Sequence, residues 1–381
     1  MDRTLEWSRL RPDISVWRGT VGAVALHPSR PWIARSFRAR TEVLDADAGR
    51  VFASWDEPPG ADRSMVWCGD RLVTTSLRDG DVVLRSRLLP DGGVVAEARW
   101  EELDGVFRPQ RSARGDVLFV PGMDPYWPTC GHGTWLDGET LAVRDRRRFV
   151  RAPDAEWEVR DRQRVGLHPS GDRVTVVEES RETNDWRLAH YGAGQTLVCE
   201  ALQPASYEGG TVTQWLHEGA VLLSVERNEG RWLVEDLFCV VADEGRWRPQ
   251  ALRDADRGSV FRWAADADGA HIATAVMRGE SNDRGLCVHA TREGHVLAAR
   301  AWEPAWGELD ELHWDPQGRV VAIARTRAPE GFHLVRWEWA RDCVTLDELP
   351  GLAPDDNPFA VGRLGRSLVL SCDRTGLLLC G

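Results

Sequence analysis

The sequence contains no lysine, so all 48 of its basic residues are arginines, and 60 acidic residues outnumber them. The net charge of −12 argues against a nucleic-acid-binding surface, which is normally strongly basic. An all-arginine basic complement is typical of a GC-rich genome. A single arginine therefore says little about function. Arginines that recur at equivalent positions of a repeat are informative.

Long apolar runs are also missing. No stretch approaches the roughly 18 consecutive apolar residues that a membrane-spanning helix needs. The first 18 residues mix charged with apolar side chains, whereas a signal peptide has an uninterrupted apolar core. We therefore expect a cytoplasmic protein that does not bind a membrane.

Motifs for metal and cofactor chemistry are missing as well. The eight cysteines include no C-x-x-C pair, and the ten histidines include no H-x-H or H-E-x-x-H spacing. The sequence also lacks a G-x-S-x-G elbow, a P-loop and a dinucleotide fingerprint. We expect no metal and no cofactor.

What the chain does contain is a repeat. An apolar residue, a turn that ends in glycine and a β-branched run return at intervals of about 40 to 56 residues. Clear copies are Leu167–Gly171 before Val174–Val177, and Trp314–Gly318 before Val320–Ile323. The turn residues are Ser29, Gly69, Gly115, Gly171, Gly219, Gly269, Gly318 and Gly365.

Each turn is a hairpin signal, and a second hairpin follows it within the period. Four short strands per period without helical periodicity predict an all-β fold, a single closed β-propeller of eight four-stranded blades. Seven blades remain the alternative if the weak copy at Gly115 is an insertion. The last blade lacks one strand, which the N-terminal strand can supply. The predicted blades, within one domain over 1–381, are 20–57, 64–103, 105–160, 164–204, 211–252, 258–305, 309–350 and 357–381 with 3–18.

The turn phrases resemble a known repeat family. Leu167–Gly171 (LHPSG) and Trp314–Gly318 (WDPQG) are similar to the turn of bacterial WD40-like and TolB-type propeller repeats. The resemblance covers nearly the whole chain, although the Trp–Asp dipeptide of WD40 repeats does not close the predicted third strands. It implies a protein-interaction platform and leaves the partner class open.

Arginine recurs eight to ten residues after the turn residue in seven of the eight repeats. Such a register on one face is able to clamp carboxylates or phosphates. We favour the structural interpretation, in which each arginine locks its own hairpin, because acidic residues lie nearby in the sequence and the protein is acidic. The seven are Arg38, Arg78, Arg181, Arg227, Arg278, Arg327 and Arg374.

The third repeat breaks this register with an insertion that runs from Gly122 to Trp135. Aromatic residues beside proline and glycine suit a contact surface for a protein partner, and we expect a long loop there. The alternative is a loop whose aromatic rings pack onto the scaffold. A metal held by the Cys-x-His pair lacks two further ligands. The candidate partner-binding residues are Asp124, Tyr126, Trp127, His132 and Trp135.

These patterns favour a non-catalytic interaction scaffold or recognition module that uses one face to bind another protein, such as the product of a neighbouring gene. The oligomeric state stays open. One alternative is a propeller enzyme of the quinoprotein or lyase type with a site at the central channel, since Leu44–Gly49 followed by Trp55 resembles the tryptophan-docking repeat of eight-bladed quinoproteins. A second alternative is a small-anion sensor that uses the arginine register.

Overall fold

A computed structural model gives the architecture as strands joined by tight turns, and the described residues also include a short 3-10 helix at Pro304–Trp306. The residues it describes are 7–11, 14–18, 22–37, 40–57, 61–78, 81–100, 109–124, 127–148, 157–158, 165–180, 186–192, 195–198, 211–229, 232–243, 246–252, 259–278, 283–327, 330–349, 352, 356, 358–372 and 376–381. They contain no helix with the length and apolar character needed to cross a membrane.

The chain divides into two compact units. Unit 1 comprises Met1–Pro59, Asp254–Ala290 and Val296–Gly381. Unit 2 comprises Gly60–Arg253 and Thr291–His295. We group the strands of each unit into four antiparallel blades and number the blades in chain order.

Unit 2 holds blades 2 to 5, each with its strands paired in chain order. Blade 2 consists of β7 (Ala61–Cys68), β8 (Arg71–Arg78), β9 (Asp81–Leu88) and β10 (Gly93–Trp100). Blade 3 consists of β11 (Gln110–Arg111), β12 (Val117–Asp124), β13 (Trp127–Asp137) and β14 (Val143–Arg148). Blade 4 consists of β16 (Val165–Leu167), β17 (Val174–Ser180), β18 (Trp186–Gly192) and β19 (Gln195–Val198), with the short β15 (Trp157–Glu158) also paired to β17. Blade 5 consists of β20 (Thr211–His217), β21 (Ala220–Glu229), β22 (Trp232–Asp243) and β23 (Arg246–Ala251).

Unit 1 holds blades 1, 6, 7 and 8. Blade 1 consists of β3 (Val24–Leu26), β4 (Trp32–Phe37), β5 (Arg40–Asp45) and β6 (Arg50–Asp56). Blade 6 consists of β24 (Ser259–Ala265), β25 (His271–Arg278), β26 (Asp283–Ala290) and β27 (Val296–Ala301). Blade 7 consists of β28 (Glu308–Trp314), β29 (Val320–Arg327), β30 (Glu330–Glu338) and β31 (Cys343–Glu348).

Blade 8 combines both ends of the sequence. It contains β32 (Phe359–Leu364), β33 (Ser367–Cys372) and β34 (Gly376–Cys380), with β2 (Ile14–Arg18) as the fourth strand and β1 (Trp7–Arg11) as a fifth. The strand β2 pairs with β34 from Ile14↔Cys380 to Arg18↔Gly376. The predicted closure of the last blade by an N-terminal strand is therefore confirmed.

The burial pattern explains why the repeat reads as it does. The third strand of a blade is buried on both faces, as in β9, where six consecutive residues from Val82 to Arg87 are buried. The outer strand alternates, as in β27. Six of the seven turn glycines take positive φ angles, for example 81° at Gly171 and 76° at Gly318, which explains why glycine ends most copies of the repeated phrase.

Neighbouring blades within a unit pack through their faces and meet at their first strands. In unit 1, β24, β28, β32 and β3 follow one another in this way, and in unit 2 so do β7, β11, β16 and β20. Trp314 is 1% exposed in the core between blades 6 and 7, and its Nε1–H donates to the carbonyl oxygen of Ala264 at 2.9 Å. This arrangement of blades is that of a β-propeller. The weak copy at Gly115 forms blade 3, so the described residues contain eight blades.

Candidate ligand-binding pocket at the inner strands of unit 2

The first strands of blades 3, 4 and 5 lie beside one another, and tight turns follow two of them. The turn after β11 closes with the Gly115 N–H donating to the carbonyl oxygen of Ser112 at 3.0 Å. The turn after β16 closes in the same way from Gly171 to His168 at 2.8 Å. These turns and the three inner strands surround a pocket.

The pocket has a volume of about 350 Å³, near the lower limit for sites that bind small molecules or single side chains. We name it the Arg111 pocket. Its lining residues are apolar apart from two glutamines and one arginine, and none of them carries a carboxylate, hydroxyl, thiol or imidazole. The lining residues are Gln110, Arg111, Ala113, Gly166, Leu167, Pro169, Gln214 and Trp215.

Hydrogen bonds between blades hold the walls of the pocket in place. The Gln110 side chain bonds to the edge of β16 twice: its Nε2 donates to the Val165 carbonyl at 2.8 Å, and its Oε1 accepts from the Leu167 N–H at 2.6 Å. On the other side of β16, Trp215 Nε1–H donates to the Gly166 carbonyl at 3.2 Å. Three consecutive residues of β16 are thereby tied to both neighbouring blades.

The Trp215 ring is supported by other aromatic rings. It meets His168 edge-on with ring centroids 4.3 Å apart and Trp247 edge-on at 5.6 Å. The His168 Nε2 lies 3.3 Å from the Glu218 carbonyl and its Nδ1 lies 3.1 Å from the Ser170 N–H, which fits the neutral tautomer with the proton on Nε2. Burial lowers the pKa of His168 and keeps that ring neutral. The aromatic wall therefore has no charge of its own.

Arg111 is the one charged residue of the lining. It is partly buried, and within the described part of the chain it has neither a hydrogen bond nor an ion pair. Burial, the largest cause, lowers the pKa of its guanidinium, and the nearby Cys68 thiol acts in the opposite direction. By contrast, the buried Arg35 lies 3.1 Å from Glu42 and is paired. Among the described residues, Arg111 is thus a partly buried cation without a paired anion.

Gln214 also lacks a partner among the described residues. Its side chain is exposed at the pocket and makes no hydrogen bond to any described residue. The amide can therefore donate and accept with a ligand. Gln110 differs, since both ends of its amide already bond to β16.

A second group of titratable side chains lies on β28 in unit 1. Burial raises the pKa of Asp310 and of Glu311, and it lowers the pKa of His313 to about 4, with the Arg363 charge acting in the same direction. The Arg262 Nε donates to the Asp310 carbonyl at 2.7 Å. These are features found at acid–base sites, and structural ion networks share them.

The structure places four of the predicted arginines at or near the ends of second strands. In the backbone register three of them face an acidic residue: Arg78↔Asp81, Arg278↔Asp283 and Arg327↔Glu330. The fourth, Arg227, is paired with Val234. The side chains of these four, and all of Arg38, Arg181 and Arg374, lie outside the described residues, so their role stays a prediction.

The prediction of a long loop between Gly122 and Trp135 is wrong. This segment continues the β12–β13 hairpin, with Gly122↔His132 and Asp124↔Trp127 in register around an irregularity. Extending the ladder gives the backbone N–H and C=O groups partners that a surface loop would take from water. Glycine and proline obscured the strand pattern in the sequence.

Of the five candidate partner-binding residues, only Trp135 has a described side chain. It is 4% exposed, and its ring lies 4.9 Å from that of Phe119 in the core between blades 3 and 4. It is therefore a packing residue. Tyr126, and the side chains of Asp124, Trp127 and His132, lie outside the described residues.

The sequence contains a recurring pattern at the pocket that differs from the recurring arginines. The same two positions, five and four residues before the turn glycine, line the pocket in three successive repeats. They are Gln110 and Arg111, Gly166 and Leu167, and Gln214 and Trp215. Reading the repeat backwards from the turn, along the inner strand, points to these residues.

Comparison with known proteins supports the fold and leaves the function open. No family model matches the chain, and no curated protein matches it. Among solved structures it is similar to a eukaryotic initiation factor, with TM-score 0.59 and 11% identity over 93% of this chain and 85% of that one. It is similar to an oligogalacturonate lyase in complex with manganese, with TM-score 0.55 and 13% identity over 92% and 96%. It is also similar to an oligogalacturonate lyase from Vibrio parahaemolyticus, with TM-score 0.54 and 12% identity over 82% and 86%. At such identities the likeness shows the fold alone.

Proposed function

We propose that this protein is a non-catalytic recognition module and that the Arg111 pocket receives an anionic group of a protein partner. The observation that carries the proposal is Arg111 itself, a partly buried cation without a partner among the described residues. It lines a pocket of about 350 Å³.

The energetics favour an anionic ligand. Charged groups taken out of water are normally paired, because an unpaired one loses hydration without compensation. This protein has 60 acidic residues and 48 arginines, so the lack of a carboxylate beside Arg111 among the described residues is not a consequence of too few acids. A carboxylate or phosphate brought by a ligand would supply the missing interaction through charge-assisted hydrogen bonds.

The pocket is suited to binding without large rearrangement. Gln110 and Trp215 are fixed by hydrogen bonds to β16, so the walls keep their positions when a ligand enters. Preorganised walls reduce the entropy cost of association. The lining offers no nucleophile, general acid or general base, which supports recognition rather than catalysis at this site.

Peptide capture by the full-length protein tests the proposal. The protein is immobilised and exposed to a random peptide library, and the retained peptides are sequenced and remeasured against two variants. Ala113→Trp fills the pocket, while Ala270→Trp adds the same side chain to an exposed turn of blade 6 as the matched control. We expect peptides whose dissociation constant rises at least about tenfold with Ala113→Trp and is unchanged with Ala270→Trp. Equal retention by all three proteins would refute the pocket as the recognition site.

A second candidate function is acid–base catalysis by the β28 group. It is supported by the raised pKa values of Asp310 and Glu311 beside a neutral His313. Because two of the similar folds are oligogalacturonate lyases, that substrate with manganese is the first to assay. Turnover that disappears in Glu311→Gln and persists in Ala113→Trp would favour this candidate over the first.

A further inference from the structure

The Arg111 pocket offers three kinds of surface that together define a ligand class. We infer that it takes a single carboxylate attached to an N-acylated apolar amino acid, the chemistry of a peptide C-terminus. This inference rests on the proposed recognition function and specifies what that function recognises.

The charge of the pocket fits one carboxylate better than a phosphate. Arg111 is the single charged residue of the lining, so a monoanion is neutralised and a phosphate dianion is left with excess charge. A guanidinium presents two parallel N–H donors that match the two oxygens of a carboxylate. Among the described residues no cluster of metal-binding side chains adds further positive charge.

The exposed amide of Gln214 fits an acylated nitrogen. A peptide amide offers one donor and one acceptor, and a glutamine side chain is complementary to both. Gln214 is exposed at the pocket and makes no hydrogen bond to a described residue, so none of the hydrogen bonds of the described residues must break when the ligand binds. A free amino acid would instead bring an ammonium group close to the Arg111 charge.

The remaining lining fits an apolar side chain. Leu167, Pro169 and Ala113 are apolar, and Trp215 is held by its bond to Gly166 and by the rings that surround it. A pocket of about 350 Å³ accommodates one or two residues rather than a long segment. The ligand is therefore read at its end, and the rest of a longer peptide extends outside.

Titration calorimetry on the full-length protein with defined probes tests the inference. The probes are acetyl-glycyl-leucine, its C-terminal amide, acetyl-leucyl-aspartyl-leucine amide, which carries its carboxylate on a side chain, and inorganic phosphate. We expect acetyl-glycyl-leucine to bind at least about tenfold more tightly than the other three. Arg111→Gln should abolish the difference, Gln214→Ala should weaken binding several-fold, and Gln317→Ala, an exposed glutamine in the blade 7 turn, should change nothing.

The outcomes separate this inference from the proposed function. Binding of phosphate or of the side-chain carboxylate that depends on Arg111 and exceeds that of acetyl-glycyl-leucine leaves the recognition function standing and overturns the C-terminal assignment. If no probe shows binding that depends on Arg111, the C-terminal assignment is overturned. If the random peptide library also gives no peptide whose binding is weakened by Ala113→Trp, the proposed recognition function is overturned as well. A small N-acylated amino acid and the C-terminus of a protein share this chemistry. An octapeptide ending in leucine distinguishes them, because only a site for a protein C-terminus gains affinity from the added residues.

Discussion

Replacing Arg111 with methionine should raise the thermal stability of the protein, although it removes the main polar group of the pocket. The substitution keeps a long side chain and eliminates a charge that is partly withdrawn from water without a partner among the described residues. A residue kept for packing or for a structural ion pair would behave in the opposite way. The sign of the stability change therefore distinguishes a ligand-binding arginine from a structural one.

The magnitude follows from burial. A buried polar group left without a partner destabilises a protein by about 1–3 kcal/mol, and by more when it is charged. Because Arg111 is partly exposed, water still hydrates it and the penalty is smaller. We therefore expect the free energy of unfolding to rise by about 1 kcal/mol. For a cooperative unit of about 150–250 residues, a range that includes unit 2, this raises the unfolding midpoint by about 2–4 °C. Stabilisation at the expense of binding is common when a functional group is removed.

Arg35→Met is the matched control. Arg35 is 2% exposed, and two of its guanidinium nitrogens donate to the same Glu42 oxygen at 3.1 and 3.3 Å. Among the described residues, removing it leaves the buried Glu42 with the exposed Arg40, at 3.2 Å, as its remaining ion-pair partner. We expect a loss of about 3–5 kcal/mol, the usual effect of breaking a buried pair.

Differential scanning calorimetry and urea unfolding of the three proteins, at low and at high salt, provide the measurement. If Arg111→Met lowers the midpoint by an amount similar to Arg35→Met, the arginine is structural and the reasoning behind the pocket is wrong. An unchanged midpoint for Arg35→Met would refute the treatment of buried pairs on which the comparison depends.

Three further predictions concern the turns, the buried histidines and the bonds between blades. Gly171→Ala should lower the free energy of unfolding by about 2–3 kcal/mol in chemical unfolding, because alanine disfavours the positive φ and its Cβ would lie 2.9 Å from a blade 3 side chain. Gly318→Ala should lower it by about 1 kcal/mol, because the φ is similar but the space around it is open. His190 is 2% exposed and burial lowers its pKa to about 4, so the unfolded chain binds a proton first as the pH falls below about 6.5 and stability is lost between there and pH 4. Unfolding measured at pH 7 and pH 5 should show a drop about 2 kcal/mol larger for the wild type than for His190→Gln, and an equal drop in the two proteins would contradict the assignment to His190. Trp314→Phe should lower the free energy of unfolding by about 1–3 kcal/mol, since it leaves a buried carbonyl without its donor, and an unchanged value would show that this bond between blades contributes little.

The sequence was sufficient for the blades because their signals are local. A turn glycine such as Gly171 needs a positive φ, and β-branched residues follow it directly, so the pattern survives whatever the neighbouring blade contains. The strand that completes blade 8 was also predictable, since the last repeat lacked one strand. The exact strand was not: Ile14–Arg18 pairs with β34, and Trp7–Arg11 is added beyond it.

The pocket could not be predicted in the same way, because it depends on pairings between repeats. Nothing local distinguishes Arg111 from Arg35; only the fold reveals that Arg35 faces Glu42 and that Arg111 has no carboxylate partner among the described residues. The prediction of a loop at Gly122–Trp135 was wrong because the local composition was misleading. The composition of this segment indicates a loop, while the backbone pairing across the hairpin decides the outcome.

The pairing of β2 with β34 has a kinetic consequence. Its register joins Ile14 to Cys380, two residues 366 positions apart in the chain. Closing a flexible loop of that length costs about 5 kcal/mol of chain entropy if nothing has formed in between. The hydrogen bonds of five residue pairs cannot offset that cost early in folding, so these two strands meet only after the intervening blades have brought them together. Blade 8 should thus be the last to gain protection in pulsed hydrogen exchange and the first to lose it, which makes this pairing the step that limits how fast the protein folds.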